Sequence, residues 1–272
     1  MTMRSHLRVA ATLAAILVAG KGLAHEFWIE PLQFTVEPGT QFQADLRNGV
    51  EFEGSTFSYL PRNFTRFEIY SGGEAMPVEG RLGDSPALSV DGLPDGLAVI
   101  VHETTDNRLN WDEWERFAAF AEHKDFGDPV ALMEDRGLEP APPIVELYSR
   151  HVKSLVGVGD AAGEDSHIGL RTEFVALANP YTDDVSGGMP VQLWDRDALR
   201  TNVQVELFDR GPDGEVEITY HRTDDEGIAV LPVTPGHVYM VDAVILEPLE
   251  PTDSSPAVWH TLWANLTFSV PE

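Results

Sequence analysis

From Thr172 to Val270 the chain is divided into short segments of apolar or alternating residues: Thr172–Leu177, Val191–Trp194, Val203–Phe208, Glu215–His221, Ile228–Pro232, Val238–Leu246 and Leu262–Val270. Turn-forming stretches such as Gly211-Pro212-Asp213-Gly214 lie between them. Segments this short, punctuated this often by glycine and proline, have no room for the long apolar stripe of a helix. They can bury alternate side chains when paired in sheets. Roughly seven strands in about 100 residues suit an immunoglobulin-like or transthyretin-like β-sandwich, and one is predicted over 171–272.

The first half carries weaker signals of the same kind. Gln41–Leu46, Phe64–Tyr70 and Leu97–His102 read as strands, separated by turns at Glu37-Pro38-Gly39 and from Asp91 to Gly96. At Asn110 the pattern changes. Asn110 can cap a helix in which Trp111, Trp114, Phe117, Ala118 and Ala121 recur at helical spacing. Asp112, Glu113 and Glu115 then fall in its first turn, where the helix dipole favours acids. A second helix is expected between Pro129 and Gly137, and Pro140, Pro142 and Pro143 break the chain before a third element at Ile144–Val156. The fold class read here is mainly β: two β-sandwich domains with a helical insertion before the linker. The first domain covers 25–157 with its insert at about 110–151, the linker 158–170, and the second sandwich the remainder.

The chain opens with Arg4 and Arg8, an apolar run from Val9 to Gly20, and Gly22-Leu23-Ala24. That is the layout of a secretory signal peptide over 1–24, with His25 first in the mature chain; a cut after Gly20 is the alternative. The run is shorter than the ~20 residues of a spanning helix, and no later stretch is long and apolar enough, so no integral membrane segment is expected after processing. The predicted location is the periplasm. There are no cysteines, so neither disulfides nor thiolate metal ligands are available. The formal charge is −27, and removing Arg4, Arg8 and Lys21 deepens it. Such a field repels nucleic acid and attracts cations, and it also serves plain solubility.

Several blocks resemble known families. Thr223-Asp224-Asp225-Glu226-Gly227 followed by Pro235-Gly236-His237-Val238-Tyr239 is similar to carboxypeptidase-regulatory-like β-sandwich modules. His25-Glu26-Phe27-Trp28-Ile29-Glu30-Pro31 resembles the opening of the domain-of-unknown-function 4198 family of bacterial periplasmic proteins. Glu146 to Leu155 (ELYSRHVKSL) resembles its "E-x-Y-S/T-R-x-x-K-x-L" signature, and Glu173–Tyr181 and Leu262–Phe268 resemble two further blocks. The resemblance implies a role in nickel or cobalt uptake: binding the ion or a small chelate and serving an inner- or outer-membrane transporter. Many relatives carry a histidine after an "A-V" in the penultimate strand, where this chain has Ala243-Val244-Ile245-Leu246.

A histidine at a free amino terminus offers its α-amine and a ring nitrogen to one ion. With ordinary pKa values near 7.7–8.0 and 6.5, both lose protons readily to a competing metal. His25 is therefore the first candidate ligand, with His123 and His102 as partners and nickel or cobalt as the expected ion, copper being the alternative. His123 could equally be a helix C-terminal cap and His102 a half-buried strand residue. His151, His167 and His260 carry less weight. Glu146, Tyr148, Arg150 and Lys153 form a polar cluster read first as an ion-pair network. The six tryptophans read as core and interface anchors. No G-x-S-x-G, H-E-x-x-H, Walker or dinucleotide motif is present, so a non-enzymatic binder is expected. Two other readings stay open: a copper oxidase using a terminal-histidine brace, and an adhesion or assembly module without a site.

Overall fold

The structure is a computed structural model that describes residues 25–272; the leader read at 1–24 lies outside them. The strands in the first half are β1 (Glu26–Pro31), β2 (Thr35–Val36), β3 (Gln41–Val50), β4 (Glu53–Phe57), β5 (Phe64–Ser71), β6 (Glu74–Pro77), β7 (Leu88–Asp91), β8 (Gly96–Thr104) and β9 (Asn107–Trp111). Helices α1 (Trp114–His123) and α2 (Pro129–Glu134) precede the long strand β10 (Ile144–Val158). Then come β11 (Thr172–Ala176), β12 (Met189–Asp195), β13 (Ala198–Leu199), β14 (Gln204–Arg210), β15 (Val216–Arg222), β16 (Ile228–Leu231), β17 (Val238–Pro248) and β18 (Trp259–Ser269). The described residues are mainly β, in three open sheets. Among the described residues no helix is long and apolar enough to cross a membrane.

One ten-stranded sheet organises the molecule, in the order β15-β14-β17-β18-β10-β8-β5-β6, with β2 and β9 also on β10. Its middle is the parallel pair β10 and β18, in register from Glu146↔Trp259 to Ser154↔Thr267. Strands from both sides of residues 158–170 thus share a single sheet. The segment itself is tied down, because Asp165 accepts from the buried Lys153 ammonium of β10 and from the amide of Ala176.

Alternation along the strands sends successive side chains to opposite faces. Leu155, Leu207, Val241 and Leu266 meet Phe174, Val191 and Leu193 of the sheet β11-β12-β13 with β16. On the other face Ile69, Ile100 and Val152 meet Phe42, Leu46 and Leu88 of the sheet β1-β3-β4 with β7. Further along that face, α1 and α2 lay Phe117, Phe120 and Met133 against Trp259 and Trp263. Trp28 of β1, fully buried, reaches across to Phe208 and Met240. Between the small sheet and the helices a seam runs over the large sheet.

All seven strands expected after residue 171 are present, most of them a residue or more longer. The helical reading of 110–151 needs correction. Asn110 belongs to β9, opposite Val145, and Glu113 takes the N-cap position. Residues 144–151 are strand, because Ile144 to Tyr148 pair with β9 on one side while Glu146 onward pair with β18 on the other. Two ladders of backbone hydrogen bonds outweigh the local periodicity.

Candidate functional site

Three neighbouring strands place polar side chains at one level of the sheet. Glu206 of β14 is in register with Asp242 of β17, and Asp242 with Asn265 of β18. All three are at least 97% buried, on the face that the helices and β1 cover. Charged groups so deep require a partner. It arrives at the end of α1, where Lys124 caps the helix with its amide on the Phe120 carbonyl and Gln204 holds the His123 carbonyl at 2.7 Å. The Lys124 ammonium lies 2.9 Å from Glu206, 3.3 Å from Asp242 and 3.6 Å from Glu26 of β1, and 4.9 Å from the Trp263 ring centre.

Three carboxylates around one ammonium cannot all ionise at low cost. Burial pushes Glu26 up to about 7, against the pull of Lys124 and with the push of Asp242 and Glu206. Burial also raises Asp242. Glu206 is the exception: burial acts upward, but the His123 ring and Lys124 outweigh it and hold it low. Lys124 is depressed by burial and more than restored by the three carboxylates, so it keeps its proton. Oxygens of Glu26, Glu206 and Asp242 lie within 4.8 Å of one another, close enough to share a cation.

Next to this cluster Arg150 of β10, 8% exposed, donates from Nη2 to the His25 carbonyl at 2.7 Å. Its guanidinium lies 3.8 Å from the Trp263 ring centre and 5.4 Å from that of Tyr148. Burial lowers its pKa and nearby Asp242 and Glu26 oppose this. Asn48 of β3 holds the Glu26 carbonyl at 2.9 Å. The backbone at 25–26 is therefore fixed from two sides. The exposed side chain of His25 lines a cavity of about 430 Å³ whose walls include Trp111, Glu146, Tyr148, Arg150 and Trp263. It also borders a more open groove of about 870 Å³, between the β3–β4 and β14–β15 hairpins, lined by Phe52, Arg210 and Val216. Within the smaller cavity Glu146, raised by burial, accepts from Trp111 Nε1 at 2.6 Å and from the Thr261 hydroxyl.

Of the candidate ligands, His25 lines the cavity and His123 stands beside Glu206, and neither belongs to the group formed by Glu26, Glu206 and Asp242. The His123 ring, 41% exposed, has Nε2 3.5 Å from Glu206 Oε2. His102 does neither. Its ring sits among Phe27, Phe64 and Phe67 at centroid distances of 5.4, 5.3 and 4.9 Å, and burial pulls its pKa down to about 3. It opens on a separate cavity of about 130 Å³ that shares only Asn48, Tyr148 and Arg150 with the larger one. The polar cluster of β10 divides by alternation. Glu146, Tyr148 and Arg150 face the seam cavity, whereas Lys153, fully buried, pairs with Asp165 at 2.6 Å and Glu173 at 3.1 Å on the opposite face. Lys153 thus plays the structural part read for the whole cluster.

Sequence reasoning did not single out Glu206, Asp242 or Lys124. A usable signal was present, since Asp242 interrupts the apolar run VYMVDAVIL and Glu206 interrupts VELF. Lys124 carried no such mark, because it follows a helix end rich in charge.

A family model described as "Domain of unknown function (DUF4198)" matches residues 23–247. No curated protein matches the sequence. Among solved structures, "Crystal structure of tetra-tandem repeat in extending region of large adhesion protein" aligns with a TM-score of 0.22 and 10% identity, covering 91% of this chain. The alignment takes in 49% of that structure's chain, so this protein spans about half its length.

Proposed function

Since the chain belongs to the DUF4198 family, a family of unknown function, we propose its role from the seam itself: an exported binder of a transition-metal ion of the nickel–cobalt class, or of its small chelate, that serves a membrane uptake system. The observation that carries this reading is the hydrogen bond from Arg150 to the His25 carbonyl. It holds the backbone of the predicted mature terminus at the edge of a cavity whose lining residues Arg150 and Trp263 adjoin the buried cluster, Arg150 through Asp242 and Glu26 and Trp263 through Lys124. On this reading cleavage after Ala24 frees the His25 amine, and amine and imidazole close a chelate ring on the ion. His123 and Glu206 complete the donor set. Imidazole and amine donors with one carboxylate suit nickel, cobalt, copper and zinc better than calcium or magnesium. The chain's acidity draws cations toward the site. The role is capture and hand-over, without turnover in the periplasm. The architecture is read as two sandwiches that share their largest sheet, the helices walling the cavity between them.

Isothermal titration of protein beginning at His25 tests the proposal, with nickel, cobalt, copper and zinc each in turn. His25→Ala, His123→Ala and a form carrying one extra residue before His25 are each expected to bind at least about tenfold more weakly, a loss of about 1.4 kcal/mol. Equal affinity in all four proteins overturns it.

A further inference from the structure

The opposite face of β10 and β18 holds a second convergence of donors that the seam does not use. Ser149 and His151 of β10 and His260 of β18 are all at least 96% buried there. The Ser149 hydroxyl oxygen lies 3.0 Å from His151 Nε2 and 3.4 Å from His260 Nε2. Asp106, half-exposed just before β9, brings Oδ1 to 3.1 Å from His260 Nε2. Behind His151, Glu103 of β8 places Oε1 3.4 Å from Nδ1. Two imidazoles thus flank the Ser149 hydroxyl, with one carboxylate on the His260 nitrogen and a second behind the His151 ring.

As a purely structural hydrogen-bond chain this arrangement is incomplete. His260 Nε2 must carry a proton to donate to Asp106, which leaves the Ser149 proton for His151 Nε2. His151 then holds its own proton on Nδ1, a buried atom without a hydrogen bond although Glu103 Oε1 lies 3.4 Å away. A metal-ligating histidine uses the same tautomer: Nε2 on the ion, Nδ1–H directed at a carboxylate.

We propose that His151 Nε2, His260 Nε2 and Asp106 Oδ1 form a second site for a divalent transition-metal ion, with Glu103 orienting His151. The Ser149 hydroxyl marks the centre. Rotation about its Cα–Cβ bond clears that point, and the two rings close toward the ~2.0–2.1 Å at which imidazole nitrogen binds such ions. The carboxylates of Asp106 and Glu103 offset a double positive charge. Arg171 and Arg196 nearby are each paired with Glu247 at 2.9 Å, which limits their repulsion of an ion. Asp106 gives the route from solvent. The site depends on neither the amino terminus nor the seam.

The test is equilibrium dialysis of the processed protein in a His25→Ala/His123→Ala background, against nickel, cobalt and zinc separately. About one equivalent of ion is expected to bind. His260→Ala should abolish it. Asp106→Asn and Glu103→Gln alter exposed or half-buried side chains, and far-UV circular dichroism checks their folding. Each should weaken binding about 10–100-fold and shift the visible bands of the cobalt form, while Ser149→Ala should retain binding. Absence of binding in this background, or binding that survives both His260→Ala and Asp106→Asn, overturns the proposal.

Discussion

The guanidinium of Arg150 lies 3.8 Å from the Trp263 ring centre while donating to the His25 carbonyl at 2.7 Å. One buried side chain thereby joins three separated sequence blocks: the His25 opening, the β10 signature and the Leu262–Phe268 block. Lysine keeps the charge but lacks the planar fork that can stack and donate together. Arg150→Lys is expected to leave the His25 carbonyl without its donor, to destabilise the fold by about 1–3 kcal/mol, and to weaken ion binding about tenfold. Urea denaturation and titration calorimetry read the two effects separately.

Lys124 is the internal cation of Glu26, Glu206 and Asp242. Lys124→Met keeps the bulk and removes the charge, leaving three buried carboxylates uncompensated. A loss of about 3–5 kcal/mol is expected. Divalent ions should then raise the melting temperature of the variant more than that of the parent, because the carboxylates lack their own counter-charge. A thermal-shift titration with nickel and with magnesium checks this, and equal shifts in both proteins would contradict a cation-accepting cluster.

Glu26 makes stability pH-dependent in a defined direction. Its folded pKa of about 7 stands above the ordinary 4.5, chiefly through burial. The folded state therefore binds the proton more tightly than the unfolded chain does. The associated stability is present below about 4.5 and is lost as pH rises through 7, by up to about 3 kcal/mol. Glu26→Gln mimics the protonated form. The stability of the wild type relative to Glu26→Gln should fall between pH 5 and 8 in urea denaturation series.

His102 acts in the opposite sense. Its folded pKa of about 3 lies below the ordinary 6.5, through burial among three phenylalanines. The unfolded chain takes up the proton first. Stability present above pH 6.5 is lost as pH falls toward 3, on the order of a few kcal/mol. His102→Phe is expected to flatten that acid limb in denaturation curves and to leave ion affinity unchanged, since the ring does not reach the seam.

The strands of the second half were legible because their signals are local. Alternation, β-branched residues and turns at Gly211–Gly214 are settled within a few residues of one another. The helices were legible only in part: Trp114, Phe117 and Ala121 do share a helical face, but Asn110 is held in β9 by a partner 35 residues away, Val145. His25 and His123 were recognisable as donors by residue type. The approach of His123 to Glu206, and the gathering of Glu206, Asp242 and Glu26, was not, since register across β14, β17 and β18 sets it and nothing in their spacing states that register.

Residue order alone, through period and punctuation, determined that this chain builds sheets without disulfides and carries a strong negative charge. Only the tertiary structure decided that β10 and β18 run side by side, and from this the rest follows. Alternation on two adjacent strands delivers Arg150, Trp263 and Asn265 to one face and Ser149, His151 and His260 to the other. Long-range pairing depends on which ladders and which buried surfaces the whole chain can satisfy at once, a condition that no local window of sequence contains.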